Sequence, residues 1–195
     1  FFVFGEPLFR PFFNIAHAAT SYYVNVNTGI NSNNGSAGSP WKTITYALTQ
    51  IASGDTVNVA AGTYNTVNGE TFPLSPSSGI TLTGAGATTT IISGLNNTFD
   101  LRGDATVSNV TISGFTITTD SGQSGHGIEL LNVDTITIED NIIRNNGNDG
   151  INTWGNADNV YIRKNFIYSN AGNGIQVASA DILLVNDALN ISNNV

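Results

Sequence analysis

The sequence predicts an all-β chain: a right-handed, single-stranded parallel β-helix of three parallel sheets, closed near its N-terminus by a short capping helix. Three observations predict it. From residue 109 onward a block of three short apolar segments recurs with spacings of 23 to 26 residues. Within each segment the apolar residues alternate, the period of a strand that buries one face. Gly and Asn stand between the segments at equivalent places in each copy.

The repeats read NVTISGFTITTDSGQSGHGIEL (109–130), DTITIEDNIIRNNGNDGINT (134–153) and NVYIRKNFIYSNAGNGIQV (159–177). Val110, Ile136 and Val160 correspond, as do Ile112, Ile138 and Ile162, then Ile117, Ile143 and Ile167, then Ile128, Ile151 and Ile175. A further partial copy starts at Asp181, with Leu184, Leu189 and Ile191 at the 24-residue offset. One repeat alone cannot bury its apolar faces. Stacked copies bury them around a common axis, about 4.8 Å per coil. A helical solenoid is excluded, because the apolar runs are too short and Gly and Asn break them every few residues. Asn141 and Asn165 form one column at the bends, and Asn146, Asn170 and Asn194 another. Such columns are expected to hydrogen-bond along the axis and to supply the left-handed backbone of a sharp bend. Gly127, Gly150 and Gly174 open the third strand of each coil.

Upstream, Val57/Val59 and Ile80/Leu82 are expected as first strands of earlier coils, with Ile91-Ile92 and Phe99/Leu101 as second and third strands. YYVNVNT (22–28) reads as a strand. Ile44, Ala47, Leu48 and Ile51 have helical spacing and predict a helix over 43–52, ended by Gly54. That helix would cover the open first coil, as solenoid ends require. The expected organisation is therefore an export-signal remnant at 1–19, a capping module with the first strand at 20–64, and β-helix coils at 65–195. Ala16-His17-Ala18 after a Phe-rich stretch suits a cleavage site, although Glu6 and Arg10 interrupt the run. A fragment edge or a packed N-terminal segment is the alternative. The chain has no Met and stops in mid-pattern at Asn193-Asn194-Val195, so both ends are expected to be cut.

Composition narrows the function classes. The chain of 195 residues carries 6 Lys+Arg against 14 Asp+Glu, a net charge of −8, with 40% hydrophobic and only 10% charged residues. No basic run exists to neutralise a phosphate backbone, which argues against a nucleic-acid partner. The absence of Cys removes disulfides, Cys-ligated zinc and thiol catalysis. No run after the N-terminal stretch approaches the roughly 18 apolar residues of a membrane span.

The stretches YYVNVNTGINSNNGSAGSPWKTITYAL, GDTVNVAAGTYN and GITLTGAGATTTIISG resemble the N-terminal module of bacterial secreted and surface β-helix proteins of the pectin-lyase-like superfamily. That module has no assigned function. The resemblance spans about residues 22–94, and the generic repeat covers the rest. It implies the fold, but not a choice among lyases, glycosidases, uronate epimerases and non-catalytic adhesin-like proteins.

In β-helix lyases of this superfamily substrate lies along the outside of one sheet, where acidic residues hold calcium and Lys or Arg abstracts a proton. The matching outward pairs here are Glu139 with Arg163, and Asp140 with Lys164 at the next bend. The ordinary reading of each is a surface ion pair, and the alternative is an enzyme site. No cofactor is expected. Calcium is the one to consider, on Asp134, Glu139, Asp140 and Asp158, which are read as lying in different columns, or on Asn31, Asn33, Asn34 and Asp55 near the cap. On the third strands Glu129, Asn152 and Gln176 face outward, followed by Leu131, Trp154 and Ala178. A polar column beside an exposed Trp suits a sugar, which offers hydroxyls and an apolar ring face. Tyr161 and Tyr168 are expected nearby. His126 shares a column with Asp149 and Asn173, read as turn residues, with a His–Asp catalytic pair as the alternative.

The preferred reading is a secreted or surface-associated, non-catalytic β-helix, adhesin-like or structural, that binds an extracellular polysaccharide or cell-surface glycan. The carbohydrate-binding candidates are Trp154, Tyr161, Glu129, Asn152 and Gln176. The alternative is a polysaccharide lyase or uronate epimerase acting through Glu139, Asp140, Arg163 and Lys164.

Overall fold

The structure is a computed structural model, and it describes residues 17–102, 106–120, 122–177, 182–184 and 190–192. Residues 1–16 of the expected leader at 1–19, with Asn194, Ala178 and Leu189, lie outside these. In chain order the elements are β1 (Ser21–Val24), α1 (Ile44–Gln50), β2 (Thr56–Val59), β3 (Gly62–Tyr64), β4 (Thr81–Gly84), β5 (Thr90–Gly94) and β6 (Phe99–Leu101). They continue as β7 (Val107–Ser113), β8 (Thr116–Thr119), β9 (Ile128–Glu139), β10 (Ile142–Arg144) and β11 (Ile151–Arg163). The last are β12 (Phe166–Tyr168), β13 (Ile175–Val177), β14 (Ile182–Leu184) and β15 (Asn190–Ser192). All named strand pairings are parallel, and they build a solenoid of about 5 turns.

The alternating segments become strands whose inward residues stack coil on coil. Ile112, Ile138 and Ile162 are Cα partners and fully buried, as are Val110, Ile136 and Val160. Ile117, Ile143 and Ile167 do the same on the second sheet. Phe99, Ile128 and Ile151 line the third, with Ile175 half-buried above them. The register upstream differs by one step from the spacing read in the sequence, since Leu82 pairs with Val57 and Gly84 with Val59. In the last copy Ile182 pairs with Val160 and Leu184 with Ile162.

The three expected strand faces are present, and among the described residues the first and third are joined into one hydrogen-bonded sheet. This larger sheet runs β1-β2-β4-β7-β9-β11-β13 with β6 and β14 attached, and the smaller runs β15-β12-β10-β8-β5-β3. The reason is that β9 and β11 pass round a corner without leaving the ladder, so each is the third strand of one coil and the first strand of the next.

Each corner turns on a left-handed residue. Gly54, Gly79, Asn109, Thr135 and Asn159 have φ between 51° and 96° and mark the entry to the first strand in successive coils. Gly114, Asp140 and Lys164 do so before the second strand, and Asn145 and Ser169 after it. The ladder asparagines therefore do not take the left-handed conformation themselves; the residue before each does. That turn sends the Asn side chain inward, where it replaces missing ladder bonds. Asn165 accepts from the Asn141 backbone N–H at 3.0 Å and donates to Ile138 O at 2.7 Å. Asn170 accepts from the Asn146 N–H at 3.1 Å. Gly127 and Gly150 allow no side chain, because a Cβ on either would lie 2.6 Å from the carbonyl of the glycine above.

The N-terminal end is closed as expected, though with different boundaries. Helix α1 buries Ile44 and Ala47, with Leu48 and Ile51 packed against the core. Thr43 caps its start, and the Glu70 carboxylate accepts from the Ile44 N–H at 2.7 Å and the Thr45 N–H at 2.8 Å. Burial pushes the Glu70 carboxyl up despite these bonds. The helix stops at Gln50, before Gly54, because the Asp55 carboxylate takes the Ala52 N–H at 2.8 Å and closes the following turn. The first strand ends at Val24 because Asn25 accepts from the Asn27 and Thr28 N–H groups and turns the chain. Returning at Trp41, the loop hydrogen-bonds the free edge of β1 through Tyr23 and Asn25, so no edge is left open there. Trp41 stacks on Tyr22 and donates its indole N–H to Asn33 O at 2.8 Å.

Two predictions follow from these contacts. Asn165→Ala leaves the Asn141 N–H and the Ile138 carbonyl buried without partners, and should lower stability by about 2 kcal/mol or more. Thr137→Ala, on the outward face, should stay within about 0.5 kcal/mol; urea unfolding measures both. Burial alone would raise the Asp55 pKa, but bonds from the Ala52 N–H, His17 and the Thr20 N–H outweigh it and hold it below the usual range. Its stabilising share is in place above the ordinary value of about 3.9. It is lost as the pH falls through the depressed folded value. Asp55→Asn should flatten the acid limb of a stability–pH curve while leaving its neutral limb parallel to that of the unsubstituted chain.

Candidate functional site

On the third strands the pleat sends alternate residues outward. Phe99 and Leu101 point to the core, which turns Asp100 between them outward, where neighbouring side chains cover it, and the same logic turns Glu129, Asn152 and Gln176 outward. These four are consecutive Cα partners, so they form one column across β6, β9, β11 and β13. The expected column of Glu129, Asn152 and Gln176 is thus present, and it gains Asp100. Trp154 pairs with Leu131 at the next outward step and is 45% exposed.

The column is held by a connected set of polar contacts. Arg102 lies against Asp100, with its Nη2 2.5 Å and its Nε 2.7 Å from Oδ2, and its Nη2 also reaches Glu129 Oε2 at 3.0 Å. The Asp100 bond first, and the charges of Asp100 and Glu129, push the Arg102 pKa further up. Asn97 donates its amide to the same Glu129 oxygen. The Trp154 indole N–H donates to Glu129 Oε1 at 3.1 Å, which fixes the plane of a half-exposed ring. His126 Nδ1 lies 3.2 Å from Asp149 Oδ2, and its Nε2 lies 3.1 Å from Asn152 Nδ2. Asp149 Oδ1 accepts from the Asn173 N–H at 2.7 Å, and Asn173 Nδ2 donates to Gln176 Oε1 at 2.6 Å. Asn97 Oδ1 also accepts from the His126 backbone N–H at 3.0 Å, and through that backbone link the two sets join from Asp100 to Gln176.

The other sequence-derived residues fall elsewhere. Tyr161 sits beyond the bend of β11, in a ladder with Thr137 and Thr111, so it does not join Trp154 on the third-strand face. Tyr168 packs edge-on against Phe166 on the smaller sheet. Glu139 and Arg163 form the expected ion pair at 2.7 Å, with both groups already satisfied by each other. Asp140 and Lys164 occupy equivalent corners, each with positive φ. Asp134 and Asp158 share one column, contrary to the sequence reading, and Asp134 is held below the usual range chiefly by the amide of Asn159. Among the described residues no group of three or more His, Asp and Glu gathers as a metal site. Asn31, Asn33 and Asn34 serve backbone turns, and buried Asp55 is turned to Ala52, Thr20 and His17. A separate cleft of about 450 Å³ lies beside the cap, lined by Tyr23, Asn58, Thr83 and small residues, with no carboxylate, imidazole or amine.

Asp100 and Arg102 are absent from the sequence-derived set. The signal was available in Phe99/Leu101, whose alternation places Asp100 outward. It was obscured by the 29-residue offset to Glu129, longer than the later coils.

The stacked parallel coils define a right-handed parallel β-helix. Within that class the chain belongs to the family described as protein of unknown function (DUF1565), whose model matches residues 27–195. No curated protein matches the chain by sequence. Among solved structures it is similar to ORF18 of Geobacillus virus E2, at 20% identity and TM-score 0.51, over 79% of this chain and 35% of that one. It is similar to the pectate lyase Pel9A at 17% identity and TM-score 0.53, over 82% of this chain and 50% of that one. It is also similar to a rhamnogalacturonan lyase at 14% identity and TM-score 0.53, over 86% and 63%. At these identities the likeness is one of fold. No helix among the described residues is long and apolar enough to cross a membrane.

The contrast between the two tryptophans gives a direct check. Trp41 is buried and Trp154 is half-exposed. Acrylamide should quench one fluorescence component and spare the other, and Trp154→Phe should remove the quenched one. Arg163→Ala should change stability by less than about 1 kcal/mol, as for a partly exposed pair.

Proposed function

We propose that this chain is a non-catalytic, secreted or surface-associated β-helix that binds a glycan along the outer face of its third strands. One observation carries the reading: a half-exposed Trp154, its ring plane held by Glu129, stands beside the polar column Glu129–Asn152–Gln176. Sugar rings stack their apolar faces on such an indole while their hydroxyls exchange hydrogen bonds with carboxylate and amide groups. Rung-to-rung repetition at about 4.8 Å offers contacts to consecutive units of an extended chain. The fold shared with two polysaccharide lyases adds support for a carbohydrate ligand. An adhesin-like or spacer role fits the same surface. On the first strands, the mutual satisfaction of Glu139 and Arg163 speaks against a free base there.

The test is a panel of neutral and charged polysaccharides, assayed for binding and for unsaturated products with and without calcium. Binding without cleavage is expected. Trp154→Ala should weaken it about tenfold, the loss of roughly 1.4 kcal/mol of stacking, with unfolding unchanged. Arg163→Ala and Lys164→Ala should leave it as it was. Calcium-dependent cleavage that either of those two variants abolishes would overturn the proposal in favour of a lyase.

A further inference from the structure

We infer that the glycan recognised by this column carries free amines, as in a glucosamine polymer, and is not a uronate. The inference rests on the glycan-binding reading and adds the charge class of the ligand.

Three carboxylates, Asp100, Glu129 and Asp149, lie on neighbouring coils within the network, each almost fully buried. Among the described residues one guanidinium, Arg102, faces them. His126 lies against Asp149 at 3.2 Å, which leaves Asp100 and Glu129 sharing the single guanidinium. The face is thus left with uncompensated negative charge, on a chain whose net charge is −8. Arg102 commits its Nε and Nη2 to Asp100 and Glu129. An incoming uronate would meet the carboxylates of Asp100 and Glu129, which share one Arg102 nitrogen, and like charges repel.

A second, independent feature asks for a donor. Asp100 Oδ1 has no hydrogen-bond partner among the described residues, although the Asp100 side chain is only 8% exposed. Leaving a buried charged acceptor unpaired is costly. Arg102 is the cover over it, with a side chain 43% exposed. An ammonium group brings three N–H donors and a positive charge. It can take the place of the guanidinium on Asp100 while Arg102 swings outward. A hydroxyl supplies the donor without the charge, and a carboxylate supplies neither. The expected order of affinity is therefore glucosamine oligomer, then neutral oligomer, then galacturonate oligomer, with Trp154 stacking common to all three.

The experiment measures binding of the whole chain to hexamers of glucosamine, N-acetylglucosamine, glucose and galacturonic acid, through Trp154 fluorescence and calorimetry at low and high salt. Glucosamine should bind about tenfold more tightly than its N-acetylated form at low ionic strength. The gap should narrow as salt screens the charges. This comparison needs no variant. Asp100→Asn should reduce the preference to near the neutral level. The double change Asp134→Asn with Asp158→Asn, which removes two charges away from the network, should preserve it. Galacturonate binding as tight as glucosamine binding overturns the inference and leaves glycan recognition standing. So does an amine preference that the Asp134/Asp158 change removes equally, since net charge alone would then explain it. Failure of all four hexamers to bind overturns both the inference and the function on which it rests.

Discussion

The left-handed corner residues are the constraint on which the rest of this chain depends. Gly54, Gly79, Asn109, Thr135 and Asn159 repeat one backbone conformation at one corner of successive coils. Gly114, Asp140 and Lys164 repeat it at the next. Each turns the chain by the same amount, so every strand arrives above its counterpart and the inward residues meet in register. Thr135 is the costly member, because a β-branched residue resists positive φ; its hydroxyl donates to Asp134 at 3.1 Å, a local bond that helps hold it there. Where ladder bonds lapse at a corner, the inward Asn141, Asn165, Asn146 and Asn170 supply side-chain bonds in their place. Phe115 occupies the equivalent place one coil earlier, and the Asn ladder ends by bonding to its backbone N–H.

The same regularity explains what the amino-acid sequence made legible. Ile112, Ile138 and Ile162 were readable as a column because alternation and spacing agree, and the structure places them as partners. The outward set Glu129, Asn152 and Gln176 follows from that register. The joining of the first and third faces into one sheet was not readable, since it depends on whether corner residues keep their ladder bonds, and β9 and β11 do. The helix end was misjudged because a side chain, Asp55, outcompeted the glycine signal at Gly54. Arg102 is a product of side-chain reach across coils, which spacing alone does not encode, whereas the column of His126, Asp149 and Asn173 was readable from the spacing and forms.

Two faces of one solenoid have different chemical character. On the first-strand face Glu139 and Arg163 cancel, and Tyr161 continues a ladder of threonines. On the third-strand face, carboxylates outnumber cations and a tryptophan is held at a fixed angle. The polar side chains there are organised by one another, so a ligand meets a surface that is already oriented, which lowers the ordering cost of binding. Lyase-like neighbours share the scaffold, but the scaffold does not carry their chemistry with it.

Coil length is uneven in this chain, and the unevenness has an evolutionary reading. Asp100 and Glu129 are 29 positions apart, whereas Glu129 and Asn152 are 23 apart, yet all three remain partners in one ladder. The difference is absorbed in the connections on either side of the third strand, before β7 and between β8 and β9, while the strands keep their register. Insertions and deletions in this lineage therefore have a permitted address beside the polar column. A change of length there alters the surface beside the column while the strands keep their register.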